Sequence, residues 1–153
     1  MQNVVVQVSN PVAPEAYAMI EQLDCYLGSL YPAEHNYLLS VQELQQPSVT
    51  FLTASVSDEI VGCGALVNQD GAYGEVKRMF VLPAFRGLSI GRRLLDELEG
   101  YARGQGLTIV RMETGIYQPE ALRLFEWAGY QNCEPFGTYS VGPFSVFLEK
   151  QLG

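Results

Sequence analysis

Histidine occurs once in this chain, at His35, and cysteine three times, at Cys25, Cys63 and Cys133. The cysteines are odd in number and widely spaced, with no Cys-x-x-Cys pair. That usage fits reduced core thiols better than a disulfide framework or a zinc site. With so few soft ligands no metal is expected. No apolar run approaches the roughly 20 residues that span a bilayer. Met1–Val6 has neither the basic nor the long apolar region of a signal peptide, so a cytoplasmic location is the expectation. Basic residues are missing from the whole first half. All nine Lys and Arg lie at Lys77 or later, while residues 1–76 carry nine acids. The net charge of −8 argues against nucleic acid or anionic membrane as partner. Its distribution has two readings: a solubility surface, or a basic half that holds phosphates and an acidic half that draws a cation.

What remains is a globular composition: 153 residues, 48% apolar and 17% charged. That is the size of one domain, taken here as 1–153, with enough chain for a sizeable core. Val4–Val8 reads as a strand closed by Asn10-Pro11. Pro14 to Leu30 reads as a helix, with Tyr17, Ile20, Leu23 and Leu27 three or four apart. A loop and a short helix over Tyr37 to Leu44 follow. Val49–Ala54 and Ile60–Val67 form a hairpin about Ser57-Asp58-Glu59, and Tyr73 to Leu82 is the next strand after the turn at Asn68–Gly71. Gly62 and Gly64 suit close backbone approach within a strand. They do not make a dinucleotide fingerprint, because the third glycine and the following helix are absent. A helix to about Arg103 stops at Gly104-Gln105-Gly106. A strand over Leu107–Glu113 follows, then a helix opened by Pro119, and last strands from Tyr130 and over Phe144–Leu148.

The organising stretch is Val81 to Leu95. A strand stops at Pro83, a turn carries Arg86, Gly87, Ser89 and Gly91, and a helix begins with Ile90, Leu94, Leu98 and Ala102 on one face. The first amides of a helix lack intrahelical partners, and its dipole puts positive potential there. Glycines let a bulky phosphate approach, and Arg86, Arg92 and Arg93 add cationic side chains. The natural guest is a pyrophosphate.

Arg86-Gly87-Leu88-Ser89-Ile90-Gly91 resembles the acetyl-CoA loop of the GCN5-related N-acetyltransferases (GNAT), Arg/Gln-x-x-Gly-x-Gly/Ala, with Ser89 at the middle glycine. Gln118 to Tyr130 resembles that family's Asn-x-x-Ala-x-x-Leu-Tyr-x-x-x-Gly-Phe/Tyr, with Gln118 at the Asn and Phe125 at the Tyr. The resemblance implies an α/β (α+β) fold: a mixed, mostly antiparallel sheet of six to seven strands with about four helices, splayed between its fourth and fifth strands. It implies acetyl-CoA as co-substrate, held by Arg86, Gly87, Leu88, Ser89, Ile90, Gly91 and Arg92, by the strand Met79-Phe80-Val81, and by Gln118 and Phe125.

Acetyl transfer to an amine has further demands. The thioester oxygen needs a donor, for which the backbone near Phe80 or Val81 is the candidate. The ammonium must lose a proton. Glu75 lies about where some members of the family keep a glutamate base, and Glu113 on the next strand is its rival. A tyrosine often protonates the leaving thiolate in this family. Phe125 has no hydroxyl, so Tyr117 and Tyr139 are the candidates, unless the thiolate leaves unassisted. Phe136, Tyr139, Phe144, Tyr26, Tyr31 and Tyr37 are candidates to line the acceptor pocket. The lone His35 reads as solvated, and Cys133 has no inferable partner for a covalent route. The expected activity is direct transfer of acetyl from acetyl-CoA to the primary amine of a small, cationic acceptor. The alternative, motivated by Phe125, is an acyl-CoA-binding regulatory module with little turnover. The resemblance leaves homodimerisation open.

Overall fold

In the computed structural model, which describes residues 3–35, 39–86 and 89–153, the chain builds one seven-stranded sheet among those residues. The elements in order are β1 (Val4–Val8), α1 (Pro14–Leu30), α2 (Val41–Leu44), β2 (Val49–Val56), β3 (Glu59–Gln69), β4 (Tyr73–Val81), α3 (Ile90–Gly104), β5 (Ile109–Gly115), α4 (Pro119–Trp127), β6 (Gln131–Asn132) and β7 (Ser145–Gln151). Spatially the strands run β1-β2-β3-β4-β5-β7-β6. Every pairing is antiparallel except that of β4 with β5. A parallel neighbour needs a long crossover, and α3 supplies it.

The local signals explain most of these bounds. Ser57 and Asp58 both take positive φ, so β2 and β3 meet through a tight two-residue turn. α3 ends as its glycines require. Gly106 has φ 79°, its N–H bonds to the Arg103 carbonyl, and the Leu107 N–H reaches back to Ala102. α2 is shorter than the expected Tyr37–Leu44 helix. It starts where Ser40 and Glu43 close a reciprocal capping box, and Tyr37 lies outside the described residues. β5 and β7 begin later than expected and run further, because they pair with each other from Ile109–Gln151 to Gly115–Ser145.

Strand alternation divides the core into two layers. Leu52, Val61, Leu66 and Val76 face α3 and its Leu94, Leu95 and Leu98. Phe51, Cys63, Ala65 and Phe80 face α1 and its Met19, Ile20, Leu23 and Leu27. Gly62 and Gly64 lie under α3: a Cβ on Gly64 would sit 2.7 Å from Met79 Sδ and 3.1 Å from Leu98 Cδ1.

Two irregularities of β4 make room for a site. First, its parallel ladder with β5 exists only at Gly74–Val110 and Glu75–Arg111, and the strands then separate. Second, Cys63 pairs with Phe80 and Ala65 with Lys77, so two β4 residues oppose Gly64 alone. One of them, Arg78, holds φ at 60°. This bulge reverses the facing of the strand. Val76 packs with the α3 layer, yet Phe80 packs with α1. Arg78 is locked as it turns. Its guanidinium bonds to Asp24 of α1 and its Nε and Nη2 donate to the Leu39 carbonyl at 3.0 and 2.6 Å.

Candidate active site

Two cavities open where β4 and β5 part. The outer one, of about 850 Å³, runs between β4, the start of α3 and α4. The inner one, of about 90 Å³, is lined by β4 from Val76 to Met79, β5 from Met112 to Gly115, α1, and Phe144. Met79, Gln118, Ala121 and Phe125 line both, so the cavities meet there.

The outer cavity gathers most of the residues expected to hold the co-substrate. Met79, Phe80, Val81, Arg86, Ser89, Ile90, Gly91, Arg92, Gln118 and Phe125 all line it. Gly87 and Leu88 lie outside the described residues. The amides of Ile90, Gly91 and Arg92 open α3 and have no carbonyl four residues back within the helix. Ser89, just before them, has φ 61° and ψ 19°. This is the left-handed region, where glycine carries no steric cost, which gives the family's middle glycine its physical reason. Its carbonyl accepts from the Arg93 N–H at 3.0 Å, starting the helix. A Cβ on Gly91 would come 2.9 Å from Leu124 Cδ2, so α3 can approach α4 closely here.

Of the three arginines expected at the anion site, Arg92 and Arg86 line this cavity. Arg93 does not: its Nη1 donates to the Val4 carbonyl at 2.6 Å, so it ties α3 to the sheet edge. Arg86 lies 3.9 Å from Glu120 and 5.6 Å above the Tyr26 ring. The Tyr26 hydroxyl donates to Glu120 at 2.6 Å. Burial and that carboxylate push it up to about 12. These three groups link α1 and α4 beside the cleft.

The inner cavity is differently equipped. Glu113 lines it, and Ser145 Oγ donates to its Oε2 at 2.8 Å. Burial raises the Glu113 carboxyl to about 7, against the smaller opposing effects of Ser145 and Lys77. Lys77 and Arg78 also line the cavity, but each has an acid of its own. Lys77 Nζ lies 3.6 Å from Glu75 and donates to the Tyr139 hydroxyl at 2.5 Å. Arg78 is paired with Asp24. The carboxylate that lines this cavity therefore comes from the basic half of the sequence. The acids of residues 1–76 do not line it, and two of them, Asp24 and Glu75, balance the cations that do.

Glu75 is buried, accepts from Gln69 Nε2 at 3.0 Å and from the Tyr139 hydroxyl at 2.7 Å, and lines neither cavity. Tyr139 is likewise outside both linings; burial, and then the Glu75 charge, raise its hydroxyl. Tyr117 is half-exposed and also outside the linings. Its ring stacks on Tyr31 at 5.7 Å and lies 5.8 Å from Phe144. Of the aromatics expected at the acceptor pocket, Tyr31 and Phe144 line the inner cavity and Tyr26 the outer. Phe136 does not; it packs with Tyr73, Tyr139 and Phe147. His35, expected to be solvated, lines the inner cavity with its ring 5.2 Å from Phe144.

Sequence reasoning named Tyr31 for the pocket but not the bonds that its hydroxyl makes. Its hydroxyl donates to Gln118 Oε1 at 3.1 Å and accepts the Tyr117 N–H at 3.0 Å, beside the junction of the cavities. Gly115 makes this site, since a Cβ there would lie 1.7 Å from the Tyr31 hydroxyl. No local pattern announces a pair 84 positions apart. Glu113 did carry a signal: it is a carboxylate inside an otherwise strand-like run.

A cleft with a helix N-terminus at one end and a carboxylate-lined pocket at the other suits transfer from a phosphate-bearing carrier. The chain belongs to the acetyltransferase (GNAT) family, whose model matches residues 16–130. It is an acyl-CoA-dependent N-acetyltransferase, and the relatives give no support to a binding module without turnover. Among its relatives is the IAA acetyltransferase of Azospirillum brasilense, 47% identical over 99% of this chain and 100% of that one. A solved structure from Klebsiella pneumoniae, provisionally described as an acyl-CoA N-acyltransferase, is 34% identical with a TM-score of 0.83 over 98% of both chains. A GNAT acetyltransferase from Elizabethkingia anophelis, solved with acetyl-CoA bound, shares the fold at 19% identity and a TM-score of 0.68, over 98% of this chain and 99% of that one. Among the described residues no helix is long and apolar enough to cross a membrane.

Proposed function

We propose that the protein transfers the acetyl group of acetyl-CoA directly to the primary amine of a small acceptor that enters the inner cavity as an ammonium. The observation that carries this reading is Glu113: a carboxylate in the wall of a small cavity, bonded to a serine hydroxyl, while the neighbouring cations have acids of their own. A cationic guest completes that charge balance.

The diphosphate sits against the amides of Ile90 to Arg92, with Arg86 and Arg92 alongside. The pantetheine arm lies along Met79 to Val81, whose edge beyond Glu75 has no ladder with β5. Its thioester then reaches the junction at Phe125 and Gln118. Glu113 takes a proton from the ammonium, and the free amine attacks the thioester carbonyl carbon. Negative charge develops on the carbonyl oxygen, where a β4 backbone N–H near Phe80 or Val81 can donate. The C–S bond breaks, the electron pair leaves with sulfur as the thiolate, and the second nitrogen proton passes to water as the amide forms. A thiol with a pKa of roughly 8.5 is an adequate leaving group without an acid. Tyr117 and Tyr139 shape the surroundings: Tyr117 packs on Tyr31, and Tyr139 with Glu75 holds Lys77. Cys25, Cys63 and Cys133 line neither cavity, which favours direct transfer over an acetyl-cysteine route.

The test is CoA release from acetyl-CoA with spermidine, amino acids, aminoglycosides, simple alkylamines and uncharged alcohols of matching size, products being confirmed by mass. Turnover of a compact primary amine above the others is expected. Equal turnover of amines and uncharged alcohols would remove the proposed role of charge.

A further inference from the structure

The outer cavity extends to a tryptophan that acetyl transfer itself does not use. α4 starts after Gln118, which lines both cavities, and ends at Trp127, which lines only the outer one. Nine residues of helix put about 13 Å between them. Trp127 is 68% exposed and lines the same cavity as the apolar Leu124, Phe125 and Val81. The indole is nonetheless braced. The Arg92 guanidinium lies 5.0 Å from its ring centre, its Nη1 is 3.5 Å from the Trp127 carbonyl, and its Nε donates to Asp96 at 3.1 Å. Arg92 also belongs to the first turn of α3, so the ring stands beside the anion site at the end remote from the acyl position. A CoA thioester that places its diphosphate on α3 and its acyl group at Phe125 has one large apolar part left, the purine.

We propose that Trp127 docks the adenine ring of the CoA thioester on the indole face that Arg92 leaves open, with Arg92 packed over the other face next to the diphosphate. The proposal rests on the reading of the outer cavity as an acyl-CoA cleft. A purine stacked on indole buries both aromatic faces and needs no base-specific hydrogen bond. The enzyme then selects CoA thioesters over carriers that end at phosphopantetheine.

Trp127 is the one tryptophan of the chain, so emission reports it directly. The experiment titrates the protein with CoA and with 4′-phosphopantetheine, which lacks adenosine, following tryptophan emission and binding heat together. CoA is expected to change the emission along its calorimetric binding curve, and 4′-phosphopantetheine to bind without that change. Trp127→Ala is expected to weaken CoA about tenfold and to leave 4′-phosphopantetheine unaffected, and Trp127→Phe to recover most of the loss. CoA binding by calorimetry without an emission change overturns the adenine assignment and leaves the acyl-CoA reading standing. So does a Trp127→Ala protein that loses neither ligand or both equally. Absence of any calorimetric binding of CoA overturns both.

Discussion

Replacing Glu113 by glutamine should make the enzyme slower and the fold firmer. The side chain keeps its shape and can still accept from Ser145 Oγ, but it cannot take a proton. If Glu113 is the base, kcat/KM should fall by roughly 10²–10⁴. The wild-type profile should rise with pH to a plateau above about 7, where burial places this carboxyl, and the variant should lose that limb. Stability runs the other way. The folded protein holds the Glu113 proton more tightly than the unfolded chain, whose carboxyl titrates near 4.5. Between pH 4.5 and about 7 the folded state therefore binds more protons, so stability drops as pH rises through that window. The interval corresponds to at most about 3 kcal/mol. Glu113→Gln removes that penalty and should melt higher than wild type at pH 8, with little difference at pH 4.5. Steady-state rates across pH 5.5–9 and melting scans at pH 4.5 and 8 measure both effects. Full activity in Glu113→Gln, with an unchanged ascending limb, would refute the assignment of the proton to this residue.

Other expectations follow from single contacts. Ser89→Gly relieves a left-handed serine and should raise stability by up to about 1 kcal/mol while keeping CoA affinity, measurable by denaturant melts and calorimetry. Gly115→Ala must displace the Tyr31 hydroxyl from Gln118, so it should raise the amine KM more than that of acetyl-CoA in two-substrate kinetics. Glu99→Ala leaves the half-buried Lys150 without its partner at 2.9 Å and the buried Tyr130 hydroxyl without its acceptor at 2.8 Å. A loss of about 3 kcal/mol in urea unfolding is expected.

The sequence made legible whatever short-range rules control. Pro14 and Leu30 bound α1 as its periodicity indicates, the glycines close α3, and Ser57-Asp58 forms the first hairpin turn. A candidate anion site was readable at the start of α3, because the first amides of a helix have no partner within it. Side-chain direction was harder to read. Arg93 sits one residue beyond Arg92, and that step of about 100° along a helix sends it to Val4. The bulge at Arg78 changes which β4 residues face α1, so strict alternation from Glu75 misplaces everything after it. Glu75 and Glu113 look alike as strand carboxylates. Their difference lies in tertiary partners, Tyr139 and Lys77 for one and Ser145 for the other, which no spacing reveals.

Arg78 joins two parts of the enzyme that a designer would wish to change separately. The kink at Arg78 in β4 shapes the cleft proposed for the thioester arm, while its head group staples the chain at Leu39, in the lining of the inner cavity. Replacing the chain at Leu39 with that of another enzyme, to alter which acceptors fit, would need a carbonyl at the same point in space. Without one, a cation 3% exposed loses half its anchorage, and the disturbance passes straight into β4. Acceptor range should therefore be tuned more safely from the α1 side chains Leu23 and Leu27 than by exchanging the loop.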